Sequence, residues 1–368
     1  FGAEYCVQPI IPVIASSFGL NAVQGSLAVS LGLVGMSAAM LLIAGLAPRF
    51  DRKLATAVGL IGAAILTIMI GFSGSFEAIL GMRLIQGLLL AAFPSLIIAY
   101  INEEFEPFNV GTVIGIYISG TTVGGLFGRL VVSAITDFVS WRMGLIVIGI
   151  LYLAVGIAFF MLLPKPKYQR QRQSGGLQLI KTFHTALANK KLLWIYLVAF
   201  LIMGSFVAVL LAPPYSLSQT VVGLLFVVYL FGTFSSTYMG RLSDQHGNGR
   251  VLILGLLIML TGGLLTLLQP LVFKFIGLAI FTFGMLGSHS VACGWVGKLN
   301  QGDKAQSSSM YMFFYYAGAS SLGTLGGVFL ESYGWSGVIG MVAAAVIICL
   351  LVVVRLELAV SQHLLWHH

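Results

Sequence analysis

The chain has 368 residues, 58% of them apolar and only 8% charged, where a soluble globular domain carries roughly a quarter charged residues. So few charges cannot build a water-facing surface, which excludes a soluble domain. The net charge of +8 is concentrated in short polar breaks, so it calls for no nucleic-acid partner.

Apolar stretches of about 20 residues recur from end to end, each long enough to cross a hydrocarbon core of about 30 Å. They predict twelve helical spans, near 1–17, 22–46, 54–74, 77–101, 110–135, 142–163, 192–212, 217–239, 250–269, 271–297, 306–330 and 335–356. No alternation in segments of about 10 residues dominates, which sets a transmembrane barrel aside. The 45 glycines suit helices that approach closely in lipid, where small residues at the contact replace hydrophobic packing as the driving force.

The first span carries Glu4, Tyr5 and Gln8. A carboxylate about three turns inside a span must face a cavity, pair with a cation or be protonated. Phe1 opens directly into the apolar run without a basic leader region or a small-residue cleavage site, so no signal peptide is expected. The break after the second span, Ala44 to Lys53, holds Asp51 and Arg52. In the fourth span stands Gly81-Met82-Arg83-Leu84-Ile85-Gln86-Gly87, and a guanidinium there costs several kcal/mol unless paired or hydrated. The fifth span spaces Gly120, Gly124, Gly125 and Gly128 for close helix packing, with Arg129 following as either a snorkelling, structural or substrate-contacting group.

The longest break, 164–191, is rich in Lys and Arg and divides the chain into sets of six spans, 1–163 and 192–357, with a tail at 358–368. Within it, Leu177 to Leu187 is patterned either as a helix lying on headgroups or as a solvated linker. With both termini cytoplasmic, fifteen of the nineteen Lys and Arg residues fall on the cytoplasmic side, as the positive-inside rule requires. The two sets are also alike. Tyr117, Gly120, Gly124 and Gly128 match Tyr316, Ala319, Gly323 and Gly327 at a constant offset, the kind of repetition on which many secondary transporters are built.

The break after the eighth span runs Gly240-Arg241-Leu242-Ser243-Asp244-Gln245-His246-Gly247-Asn248-Gly249-Arg250. It resembles the loop motif of the major facilitator superfamily, Gly-x-Leu-x-Asp-x-x-Gly with basic residues after it. The resemblance implies a fold of two pseudo-symmetric bundles of six transmembrane helices. It also implies that Asp244 caps a neighbouring helix and latches one conformation, together with Gly240, Gly247 and Arg250. The first-half loop departs from the motif, because Pro48 stands where the family has Asp. Either Asp51 substitutes, with Arg52 beside it, or the loop serves as a basic topology anchor. The segment from Arg83 to Gly87 is similar to the family's Arg-x-x-Gln-Gly motif, linked to proton coupling in many members. The fifth-span glycines resemble the family's antiporter-associated motif, which favours export.

The tenth span carries His289, an imidazole that either titrates in a hydrated cavity or packs through hydrogen bonds, and Trp295 as an aromatic wall. In the eleventh, Tyr315 and Tyr316 point about 100° apart, so both cannot face one cavity. Gln8-Pro9, His289 and the tyrosine pair look like the bacterial efflux-permease group related to drug and sugar exporters. Cys6, Cys293 and Cys349 have no metal-like spacing.

These readings converge on a proton-coupled secondary transporter of a bacterial inner membrane, monomeric, without cofactor or metal, exporting a small amphipathic or polar molecule. Glu4, Arg83 and His289 are the expected proton-coupling groups. Tyr5, Gln8, Gln86, His289, Trp295, Tyr315 and Tyr316 are the expected substrate contacts. The alternative is proton-linked uptake of a nutrient by the same fold. A membrane enzyme or receptor is the distant rival, since no nucleophile and base pair or phosphate-cradling loop is present.

Overall fold

The computed structural model describes residues 2–20, 22–46, 51–106, 108–164, 187–211, 228–300 and 304–365, and among them every regular element is helical. Most of the expected headgroup helix, the end of the seventh predicted span and the start of the eighth lie outside the described residues.

The first predicted span is broken into α1 (Gly2–Tyr5), a 3₁₀ turn (Gln8–Ile10) and α2 (Ile11–Ser17). Pro9 and Pro12 sit in the first turns of the two later segments. Each lacks an N–H and its ring collides with the carbonyl four residues back, so a continuous helix cannot form. Then follow α3 (Ala22–Leu46) and α4 (Arg52–Gly71). The fourth span is divided at Ala91 into α5 (Phe76–Leu90) and α6 (Ala92–Glu104), and Pro94 removes the donor that would have bonded Leu90. Next come α7 (Val110–Phe138) and α8 (Trp141–Leu162).

The second set comprises α9 (Lys190–Leu211), α10 (Val228–His246), α11 (Asn248–Leu265), α12 (Leu271–Leu299) and α13 (Lys304–Leu365). The last covers the eleventh and twelfth predicted spans. Its two arms meet at Gly334, whose φ of 64° and ψ of −163° lie in a region that essentially only glycine occupies. Polar caps start several helices. Asp51 Oδ1 accepts from Leu54 N (3.0 Å), Ser75 Oγ from Ala78 N (3.3 Å) and Ser140 Oγ from Met143 N (3.2 Å).

Among the described residues, eight helical stretches are long and apolar enough to cross a membrane. Large apolar side chains such as Phe72, Phe138 and Leu162 stand exposed on the outside of the bundle, as a hydrocarbon solvent allows. Inside each set, α3 packs on α5, α4 on α8, α9 on α13, and α12 on α10 and α11. Between the sets, α7 packs on α10, and α3 and α6 pack on α13. Small residues permit these approaches. A side chain at Gly318 would meet Phe200 Cα at 2.7 Å, and one at Gly115 would meet Thr237 Cα at 2.9 Å.

This packing corrects one expectation. Among the described residues, a Cβ at Gly120 or Gly124 would meet nothing within 4 Å, whereas at Gly128 it would meet the Tyr152 hydroxyl. Spacing by four puts residues on one face but does not say what faces them. The glycines of α7 that hold the two sets together are Gly111 and Gly115, nearer its start.

Candidate functional site: a central cavity, a buried ion pair and a cross-bundle cap

Segments of both sets surround a cavity of about 280 Å³. The first set supplies Tyr5, Gln8, Leu33, Thr122 and Arg129, and the second Phe206, Tyr229, Leu286, His289, Tyr315 and Thr324, among others. The break at Pro9 matters here, because the irregular backbone between α1 and α2 lies beside the cavity, where interrupted helices are tolerated at membrane depth.

Arg129 is buried, and its Nε and Nη2 donate to the Gln8 side-chain oxygen at 3.1 and 3.0 Å. Its guanidinium carbon lies 4.8 Å from the Tyr5 ring centre and 5.3 Å from that of Tyr229, within cation–π range. Across the cavity, the His289 ring stacks on Tyr315 with centres 4.2 Å apart, and its Nδ1 is 2.9 Å from the Tyr311 hydroxyl.

A second polar cluster sits behind the wall. Arg83 on α5 is fully buried, and all five of its N–H bonds are used. Nε donates to Ala28 O (2.6 Å), Nη1 to Ala3 O (3.2 Å) and Gln86 Oε1 (2.5 Å), and Nη2 to Glu4 O (2.6 Å) and Glu4 Oε1 (2.9 Å). Gln86 passes the network on to Ala63 O (2.9 Å) and Thr67 Oγ1 (2.7 Å) of α4. A buried guanidinium demands such complete satisfaction. Glu4 Oε2 alone accepts no hydrogen bond among the described residues. Gly32 makes room for the pair, since a Cβ there would lie 3.0 Å from Arg83 Nη2.

The third cluster closes one end of the bundle. Asp244, near the end of α10, accepts from Gly111 N (3.2 Å), Thr112 N (2.9 Å) and Thr112 Oγ1 (3.1 Å) at the start of α7. These donors have no partner within their own helix, and the helix dipole favours an anion there. Gly240 faces Gly111 backbone to backbone, and Gly247, with φ 92°, makes the tight turn into α11. Lys298 Nζ approaches Asp244 Oδ1 at 3.4 Å, and Lys304 Nζ of α13 donates to Asn102 O of α6 at 2.7 Å.

Several expected site residues stand elsewhere. Trp295 does not line the cavity: it is buried in the layer between His289 and the Asp244 end. Tyr315 lines the cavity and Tyr316 is turned into the core. Glu4 and Gln86 belong to the Arg83 cluster and not to the lining. Arg250 is exposed, and the cation beside Asp244 is Lys298. Asp51 caps its own helix, and Arg52 pairs with Glu103, its Nη2 donating to Glu103 Oε1 at 2.9 Å. The first-half loop therefore ties α4 to α6 and, among the described residues, makes no cap across to the other set. Tyr229 went unread in the sequence, because no motif marks it and its phase on α10 is set by packing.

Residues 1–218 and 205–363 match the family model of the Major Facilitator Superfamily. The chain is 37% identical to the "Uncharacterized MFS-type transporter YybF" of Bacillus subtilis (strain 168), covering 95% of this chain and 88% of that one. It is also 37% identical to the "Inner membrane transport protein YnfM" of Escherichia coli (strain K12), covering 97% and 87%. Its fold is similar to the crystal structure of the human organic anion transporter MFSD10 (TETRAN), with TM-score 0.77 and 18% identity over 96% of this chain and 95% of that one.

Proposed function

The chain belongs to the Major Facilitator Superfamily, is a membrane transporter and not an enzyme, and on that premise we propose that it is a proton-coupled carrier that exports a small amphipathic or polar molecule by alternating access. The observation that carries this reading is that both sets of helices line one cavity, while the bonds closing one end run between the sets. To expose the cavity on that side, the sets must part at Asp244. The placement of the Lys and Arg residues supports assigning the closed end and both termini to the cytoplasm of a bacterial inner membrane.

Glu4 is the proposed proton carrier and Arg83 its partner. A proton on the Glu4 carboxyl changes the charge of the pair by one unit, which biases the balance between two packings of the sets. His289, on the cavity wall, is the second proposed proton group. Export rests on the likeness of the fifth span to the antiporter-associated motif.

A reporter that needs no substrate tests this. The native cysteines are buried, so a Ser320→Cys variant on the cavity wall is labelled by a membrane-impermeant maleimide only when a face of the membrane gains access. Labelling from both faces, in a ratio that shifts when one side is acidified and no longer shifts in Glu4→Gln, is the expected result. Labelling from one face alone sinks alternating access. An unchanged pH response in Glu4→Gln removes Glu4 as the proton site.

A further inference from the structure

We propose that the cavity takes an organic anion, a carboxylate with a compact apolar body, and that Arg129 is the group that binds it. This rests on the carrier reading above and names the substrate class of the same cavity.

Among the described residues, Arg83 and Arg129 are buried in the interior of spans, and they are used differently. Arg83 lies behind the wall, with its five N–H bonds taken by carbonyls, Gln86 and its own carboxylate, Glu4. Arg129 lines the cavity, and no Asp or Glu is among the described lining residues. The cavity thus presents a fixed positive charge in a site of low dielectric, which attracts an anion and repels a cation.

The geometry fits a carboxylate. Nε and Nη2 of Arg129 converge on one neutral oxygen, that of Gln8. A carboxylate offers two oxygens and a full charge to the same fork, and charge-assisted, paired bonds are the stronger kind. The Tyr5 and Tyr229 rings stand within cation–π range of the guanidinium and help to hold it at the cavity wall. Gly125 lies close to it, since a Cβ there would stand 3.2 Å from Nη1. Leu33, Met203, Phe206 and Leu286 make apolar stretches of the remaining wall, with Ser30, Thr121, Thr122, Ser320 and Thr324 among them. A volume of about 280 Å³ is at the lower edge of small-molecule sites, so the apolar body is of about one ring.

The test uses three probes of one shape: 3-phenylpropanoate, its amide, and 3-phenylpropylamine, each followed for flux in proteoliposomes and for thermal stabilisation of the purified protein. The carboxylate is expected to bind and move in preference to the amide, and the amine not at all. Arg129→Gln is expected to weaken the carboxylate by about 10-fold to 100-fold and to remove its advantage over the amide. Arg129→Lys keeps the charge without the fork and retains part of that advantage. If neither variant folds, the ranking of the probes on the parent decides alone. Equal handling of the three, preference for the amine, or no response to any overturns the anion assignment. The Ser320→Cys reporter separates the failures: two-sided labelling with the wrong ranking leaves the carrier intact, and one-sided labelling removes both readings.

Discussion

Asp244 of α10 and Thr112 of α7 are joined by two bonds, from the Thr112 N–H at 2.9 Å and its hydroxyl at 3.1 Å. The two residues come from opposite halves of the chain, so the cap is a contact between bundles and not a local feature of either helix. Asp244→Ala leaves the first N–H groups of α7 without their acceptor, at a cost of about 1–3 kcal/mol. The expected outcome is a shift of roughly 5-fold to 150-fold toward states parted at this end. Spin labels on the exposed residues Glu106 and Gln245 measure it, and a distance distribution identical to the parent's contradicts the latch.

Arg83 and Glu4 are predicted to be strongly non-additive. Arg83→Met alone strands a buried carboxylate and costs about 3–5 kcal/mol. Combining it with Glu4→Gln removes the stranded charge and recovers a large part of that loss. Unfolding of the single and double variants in detergent gives the coupling, and simple additivity would mean that the pair is not a unit.

Gly120→Ala and Gly318→Ala separate glycines by what they face. A side chain at Gly120 meets no described residue within 4 Å, so alanine there is expected to be neutral or to gain up to about 1 kcal/mol of helix propensity. At Gly318 it strikes the Phe200 backbone and forces α13 away from α9, at about 1–3 kcal/mol or more. Thermal melting ranks the two, and equal melting temperatures would refute the distinction.

Gly334→Ala tests the reversal in α13. A side chain at φ 64° and ψ −163° costs about 1–3 kcal/mol, and a lowered melting temperature with unchanged helix content by circular dichroism is the expected result.

The sequence carried the spans well because a bilayer imposes length and apolarity on every crossing, and polar breaks bound them. The interruption of the first span is less legible, because the apolar character of the whole stretch outweighs the two prolines, Pro9 and Pro12, that break it. Asp244 was legible through its motif, but Thr112 was not, since nothing in a sequence of one chain says which helix start lies opposite. The same limit governed the cavity. Tyr5 and Gln8 were picked out as rare polar groups in a span, whereas Trp295 and Arg129 differ only in rotational phase. An arginine one residue after a glycine has the same composition whether it snorkels or faces inward.

If Arg129 holds the anion as proposed, its buried guanidinium also makes the carrier sensitive to voltage. Moving one charge through a membrane potential of 100 mV is worth about 2.3 kcal/mol. With an inside-negative potential, an empty cavity holding one fixed positive charge is drawn toward the cytoplasm-facing state. An anion bound to Arg129 cancels that charge, so the loaded carrier turns outward without working against the field. On that proposal voltage acts on the return of the empty carrier, which favours an outward cycle in addition to any contribution from the proposed proton coupling.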